Sequence, residues 1–209
     1  KFPSFGFGAR LPDNQISHCF ALGGNPFDPE CVGIDGVLAA YKQAIYNVEL
    51  WGPTNFAPVI RTAIKFASQH TSQTNQQYFV LLILTDGAIS DIDDTIRAVI
   101  EASAYPLSIV IVGVGGADFS NMELLDSDNQ LLTNGHSTAK RDIVQFVPFR
   151  QFANQHYSAL AAEVLAEIPN QLQEYMQMNG IAPNAGVQLD PSPAVMTSND
   201  IHVSYNPNA

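Results

Sequence analysis

Cysteine is scarce in this sequence: Cys19 and Cys31 are the only two among 209 residues. A secreted module that relied on disulfides would carry several at regular spacing, so both are read as reduced thiols. Basic side chains are also few, with 9 Lys and Arg against 20 Asp and Glu and a formal net charge of −11. That sign repels nucleic acid and anionic headgroups at long range, and no nucleic-acid partner is expected. No apolar run approaches the roughly 20 residues needed to cross a bilayer. The strongest, Tyr78 to Thr85 and Leu107 to Val114, have the length of strands. The first residue is Lys1, with neither an initiator Met nor the basic start and apolar core of a signal peptide, so an excised piece is expected.

Catalytic motifs are missing as well. There is no Gly-x-Ser-x-Gly elbow, His-Glu-x-x-His or Cys-x-x-Cys, and His18, His70, His136, His156 and His202 are scattered. Gly113-Val-Gly115-Gly116 falls short of the dinucleotide fingerprint because its third glycine would fall at Asp118, whose charge opposes a pyrophosphate. Those glycines read as relief of crowding in a tight turn. Asp91, Asp93 and Asp94 lack the alternation of a calcium loop and fit the first turn of a helix, where acidic side chains meet the positive end of the dipole. Enzyme activity is not expected.

What is present is enough apolar material for a sizeable core, with 46% hydrophobic and 14% charged residues. The run 78–85 is almost continuously apolar and ends in Asp86-Gly87, which predicts a central parallel strand buried on both faces. The run 107–114 repeats the pattern. Between them, Asp91 to Ala104 places Ile92, Ile96, Val99 and Ile100 at helical spacing, completing a βαβ unit whose strand-end turns share one edge.

Helices are also predicted over Gly33 to Tyr46, with Ile34, Val37, Leu38, Tyr41 and Ile45 on one face, and over Pro58 to Gln69. Thr54 or Asn55 is placed to cap the second. Asp142 to Phe149 reads as a further strand, and His156 to Met178 as a helix that Pro169 kinks or interrupts. Its stripe is Leu160, Val164, Leu165, Ile168, Leu172 and Tyr175. These elements predict an α/β fold, a doubly wound, mostly parallel sheet with helices on both faces over residues 1–180. Residues 181–209 read as a mostly irregular tail, with a short strand at Ile201 to Tyr205.

Open α/β sheets hold their sites beyond the carboxyl ends of the strands, which singles out Asp86. A hard divalent cation takes oxygen ligands, and the Asp86 carboxylate with the Thr54 hydroxyl would supply part of such a shell. The same residues also suit an Asp-Gly turn and a helix cap, and the residues alone leave both readings open.

Four blocks together resemble the copine family: Phe2-Pro-Ser-Phe-Gly-Phe-Gly-Ala9, Gly52-Pro-Thr-Asn-Phe-Ala-Pro58, Leu84-Thr-Asp-Gly87 and Arg141-Asp-Ile-Val-Gln-Phe-Val-Pro-Phe-Arg150. The resemblance implies a von Willebrand factor A-like domain from the carboxy-terminal half of a protein whose two C2 domains bind phospholipid in a calcium-dependent way. It implies a metal-ion-dependent adhesion site in which Thr54 matches the second element and Asp86 the third. The first element, Asp-x-Ser-x-Ser or a variant, would precede Lys1 together with the first strand and helix. The site expected here is therefore an incomplete one for Mg²⁺ or Mn²⁺, with Ca²⁺ implied only through the absent C2 domains.

The function expected from this resemblance is a cytoplasmic module that binds intracellular proteins and is recruited to the plasma membrane, touching phospholipid only through those C2 domains. An alternative is the substrate-binding domain of a ubiquitin ligase, whose RING would lie outside this chain because no cysteine follows Cys31. An extracellular adhesion domain is disfavoured by the two reduced-looking thiols.

Overall fold

The computed structural model describes residues 1–68, 71–126 and 130–185. The strand expected at 201–205, and the tail beyond residue 185, lie outside the described residues.

The chain opens with six two-residue strands: β1 (Phe2–Pro3), β2 (Phe5–Gly6), β3 (Ala9–Arg10), β4 (Ile16–Ser17), β5 (Phe20–Ala21) and β6 (Glu30–Cys31). Helix α1 (Gly33–Asn47), strand β7 (Glu49–Leu50) and helix α2 (Ala57–Ala67) follow. The short strands pair antiparallel as β1 with β6, β2 with β5, and β4-β3-β7. Two-residue strands have too little periodicity to stand out in a sequence.

The second half carries the main sheet. Strand β8 (Phe79–Thr85) leads to α3 (Ile92–Ala102), β9 (Leu107–Gly113), α4 (Ser120–Leu125) and β10 (Val144–Pro148). After a 3₁₀ turn at Phe149–Gln151 come α5 (Tyr157–Val164) and α6 (Ile168–Met178). The three long strands are parallel in the order β10-β9-β8, with Thr85 opposite Gly113 and Val144 opposite Ile109. The mixed α/β architecture and the βαβ unit therefore follow the sequence pattern. Pro169 does interrupt the expected long helix: it stands in the first turn of α6, where a missing N–H costs nothing.

All seven residues of β9 are buried. Leu107, Ile109 and Ile111 point into a core shared with Phe56, Ile60 and Ile64 of the α2 region and Ala98, Val99 and Ala102 of α3. Burying an aliphatic side chain of this size contributes about 1.5 to 3 kcal/mol. Side chains alternate along a strand, so Ser108 faces the other side, where its hydroxyl donates to Gln171 Oε1 of α6 at 2.5 Å. Helices thus lie against both faces of β9.

The expectation for β8 is corrected. Among the described residues it is an edge strand, and Val80, Leu82 and Leu84 are 48%, 53% and 61% exposed. Only Phe79, Leu81 and Ile83 reach the core. The apolar run reports what the strand needs on each side, while burial depends on an element being there to cover it. The same correction holds for α1: Ile34, Leu38, Tyr41 and Ile45 are exposed, and Ala44 is its only buried residue. On α6, Gln171 and Tyr175 are buried whereas Leu172 is exposed, because the helix turns a polar side chain toward Ser108.

Among the described residues, one charged side chain lies fully inside. Arg141 donates from Nη2 to the carbonyls of Tyr105 and Leu107, both at 2.7 Å, and from Nη1 to the Tyr78 hydroxyl and the Gln171 carbonyl. Its guanidinium carbon lies 5.6 Å and 5.4 Å from the ring centres of Tyr78 and Tyr175. The fork of donors ties the entrance of β9 to α6.

Candidate functional site at the carboxyl edge of the sheet

Parallel pairing of β8 and β9 places both strand-end turns on one edge, and the Val114 N–H donates to the Thr85 carbonyl at 2.8 Å. Asp86 follows immediately, exposed to solvent. The Thr85 hydroxyl shapes the turn, accepting from the Gly87 N–H at 3.4 Å.

Thr54 reaches the same edge from the loop before α2. A Cβ at Gly87 would stand 3.5 Å from the Thr54 hydroxyl, so Thr54 lies directly against the residue that follows Asp86. Two further residues hold it there. The Thr54 N–H donates to Ser90 Oγ at 3.1 Å, and the Ser90 N–H returns a bond to the Thr54 carbonyl at 2.8 Å. Next to this pair, the Asp91 carboxylate accepts from the Phe56 N–H at 2.9 Å through Oδ1 and from the Ala57 N–H at 3.0 Å through Oδ2.

This changes the account of both loops. Neither Thr54 nor Asn55 caps α2 through its side chain; the carboxylate serving its first amides comes from Asp91, more than thirty residues away in sequence. Asp91 stands at the N-cap of α3 without a side-chain bond to the amides of that helix, although it accepts from the Thr95 hydroxyl at 3.0 Å. Asp93 and Asp94 do occupy the first turn of α3, and Asp94 pairs with Arg97 and Arg61. The pairing with Arg97 is the main cause that holds the Asp94 carboxyl below the usual carboxylate range.

A family model described as Copine matches residues 1–184. The chain belongs to the copine family. In this copine chain the Thr54 loop and the Asp86 turn thus come from separate segments and meet at one edge of the parallel sheet.

The Asp86 carboxylate and the Thr54 hydroxyl are oxygen donors, the type a hard divalent cation takes. Among the described residues, no group of three or more His, Cys, Asp and Glu side chains is arranged to hold a metal ion.

The remaining candidates have local roles. The Asp118 carboxylate accepts from the Ser120 N–H at 3.0 Å, which lowers its pKa. A Cβ on Gly113 would stand 2.9 Å from the Phe119 ring, and Gly115 has φ of +85°, so crowding and backbone conformation account for both glycines. Cys19 and Cys31 are free thiols, and Cys19 donates to Thr62 Oγ1 at 3.4 Å. Burial pushes the Cys19 thiol up, against the character of an activated nucleophile. His70 and His202 lie outside the described residues.

Sequence reasoning missed Ser90 and Asp91 as partners of the Thr54 loop. An aspartate just before a helix looks the same whether it serves that helix or a neighbouring one. Among the described residues, no helix is long and apolar enough to cross a membrane.

Proposed function

We propose that this copine chain is an intracellular protein-binding module with a von Willebrand factor A-like fold, belonging to a calcium-dependent phospholipid-binding protein and recruiting its partners to membranes. The observation that carries the reading is the meeting of Thr54 with the Asp86-Gly87 turn at the carboxyl edge, in a chain matched over residues 1–184 by the copine family. Crevices beyond strand carboxyl ends are where open α/β sheets bind ligands.

In this reading Thr54 and Asp86 hold a divalent ion, directly or through water, and the ion supplies a positive centre on an acidic surface. The protein's part is positional. Strand β8 carries Asp86, and the bonds that residues 54–57 donate to Ser90 and Asp91 hold the loop whose Thr54 hydroxyl lies against Gly87. With most of the octahedral shell left to water, affinity is weak. Attachment to phospholipid comes from C2 domains outside this chain, and the module itself is cytoplasmic.

Titration calorimetry with Mg²⁺ and Mn²⁺ on the chain and on Asp86→Ala tests the site. The expected result is weak binding by the unaltered chain, abolished by the substitution with the circular dichroism spectrum retained, because an exposed strand-end carboxylate is not part of the core. Equal binding by both proteins would refute the assignment.

A further inference from the structure

We infer that Asp91 is the positioning residue of the strand-edge site, a latch that sets the Thr54 hydroxyl against the Asp86-Gly87 turn. The inference rests on the proposed role of Thr54 and Asp86 and adds what holds them together. Asp86 needs no help, since it continues β8, which is paired along its length with β9. Thr54 belongs to a loop between β7 and α2 and has no strand to fix it. What fixes it is a clasp of four bonds between residues 54–57 and residues 90–91.

Two bonds of the clasp join Thr54 and Ser90, and the other two run from the Phe56 and Ala57 amides into the two oxygens of one carboxylate. The bonds to Asp91 are the stronger pair. They are charge-assisted, and they place a negative charge at the start of α2, where the helix dipole is positive. The Thr95 hydroxyl donates to Oδ1 of the same carboxylate and steadies it from α3. Releasing Asp91 frees the start of α2, and with it the loop that carries Thr54, while the buried strand β9 is untouched.

Amide hydrogen exchange and Mn²⁺ titration on the whole chain test this, using Asp91→Ala, Asp91→Asn and Val147→Ala. Val147 is fully buried in β10, away from the clasp, so its truncation is a control for general loss of stability. In the metal-free protein, Asp91→Ala is expected to speed exchange at Thr54, Phe56 and Ala57 by about tenfold or more relative to the β9 amides, the scale of losing one charge-assisted bond. Asn keeps one acceptor oxygen and should fall between.

The Mn²⁺ dissociation constant should rise by about tenfold in Asp91→Ala and stay unchanged in Val147→Ala. Exchange at 54, 56 and 57 that rises only in step with β9, as in Val147→Ala, would overturn the latch. So would unchanged Mn²⁺ affinity in an Asp91→Ala protein whose unaltered parent binds the ion. If the parent binds no Mn²⁺, the metal reading fails by itself, and the exchange measurement decides whether Asp91 is a latch.

Discussion

Arg141 donates from Nη1 to the hydroxyl of Tyr78 at 3.0 Å while its guanidinium carbon stands 5.6 Å from the centre of the same ring. The cation is fully buried, and it donates to carbonyls and a phenol. Arg141→Met should therefore cost about 3 kcal/mol or more, because the carbonyls of Tyr105 and Leu107 lose their charged donor. Arg141→Lys should recover only part, since an ammonium group lacks the planar fork. Urea unfolding of the three proteins gives the comparison, and a loss below about 1 kcal/mol in the Met variant would show that the cluster relaxes around the change.

Gly113 faces two aromatic rings, with a Cβ there meeting Phe119 at 2.9 Å and Phe146 at 3.0 Å. Both rings belong to the core and are packed 5.6 Å apart. Gly113→Ala should destabilise by about 1 to 3 kcal/mol through overpacking. Gly116→Ala meets nothing within 4 Å and should change stability by no more than about 0.5 kcal/mol. Thermal unfolding of the pair separates the two glycines of the same turn.

Strand β8 presents Leu82 and Leu84 to solvent beside an edge that no strand among the described residues pairs with, an arrangement that invites association with another chain. The chain is expected to self-associate with rising concentration, and Leu82→Lys to shift it toward monomer without lowering its melting temperature by more than a few degrees. Sedimentation velocity over a concentration series reads the first effect. Concentration-independent sedimentation of the unaltered chain would show that this edge does not self-associate.

The Cys19 thiol is pushed up chiefly by burial, with the Thr62 hydrogen bond and Lys65 opposing. A raised pKa leaves the thiol protonated at neutral pH, so iodoacetamide should label Cys19 more slowly than a free cysteine and with a midpoint at higher pH. The linked effect on folding has the opposite direction to a carboxylate's. Stability from this group is fully present below the unfolded thiol pKa and is lost as pH rises through the folded one. Mass analysis of the Cys19 peptide across pH measures the shift, and a midpoint at or below that of free cysteine would contradict it.

Much of the frame was legible in the residues. The apolar runs 78–85 and 107–114 announced parallel strands, and the spacing of Ile92, Ile96, Val99 and Ile100 announced the helix between them. Asp86 could be placed at a strand end because the run stops there. Oxygen chemistry suggested pairing Thr54 with Asp86 and the family blocks strengthened it, but the two segments are over thirty positions apart, and their meeting at Gly87 is a fact of the tertiary structure.

By itself the sequence determined what is local. Periodicity set which segments become strands and helices, Pro169 divided α5 from α6, and charge set the character of the surface. Tertiary structure alone decided which apolar faces are covered, which helix the Asp91 carboxylate serves, and that Arg141 is a buried tie rather than a surface charge. The physical reason is range. A side chain's preference for apolar surroundings or for a hydrogen-bond partner is written in its own chemistry. The neighbour that satisfies it arrives from elsewhere in the chain, so one preference is met at β9 and left open along β8.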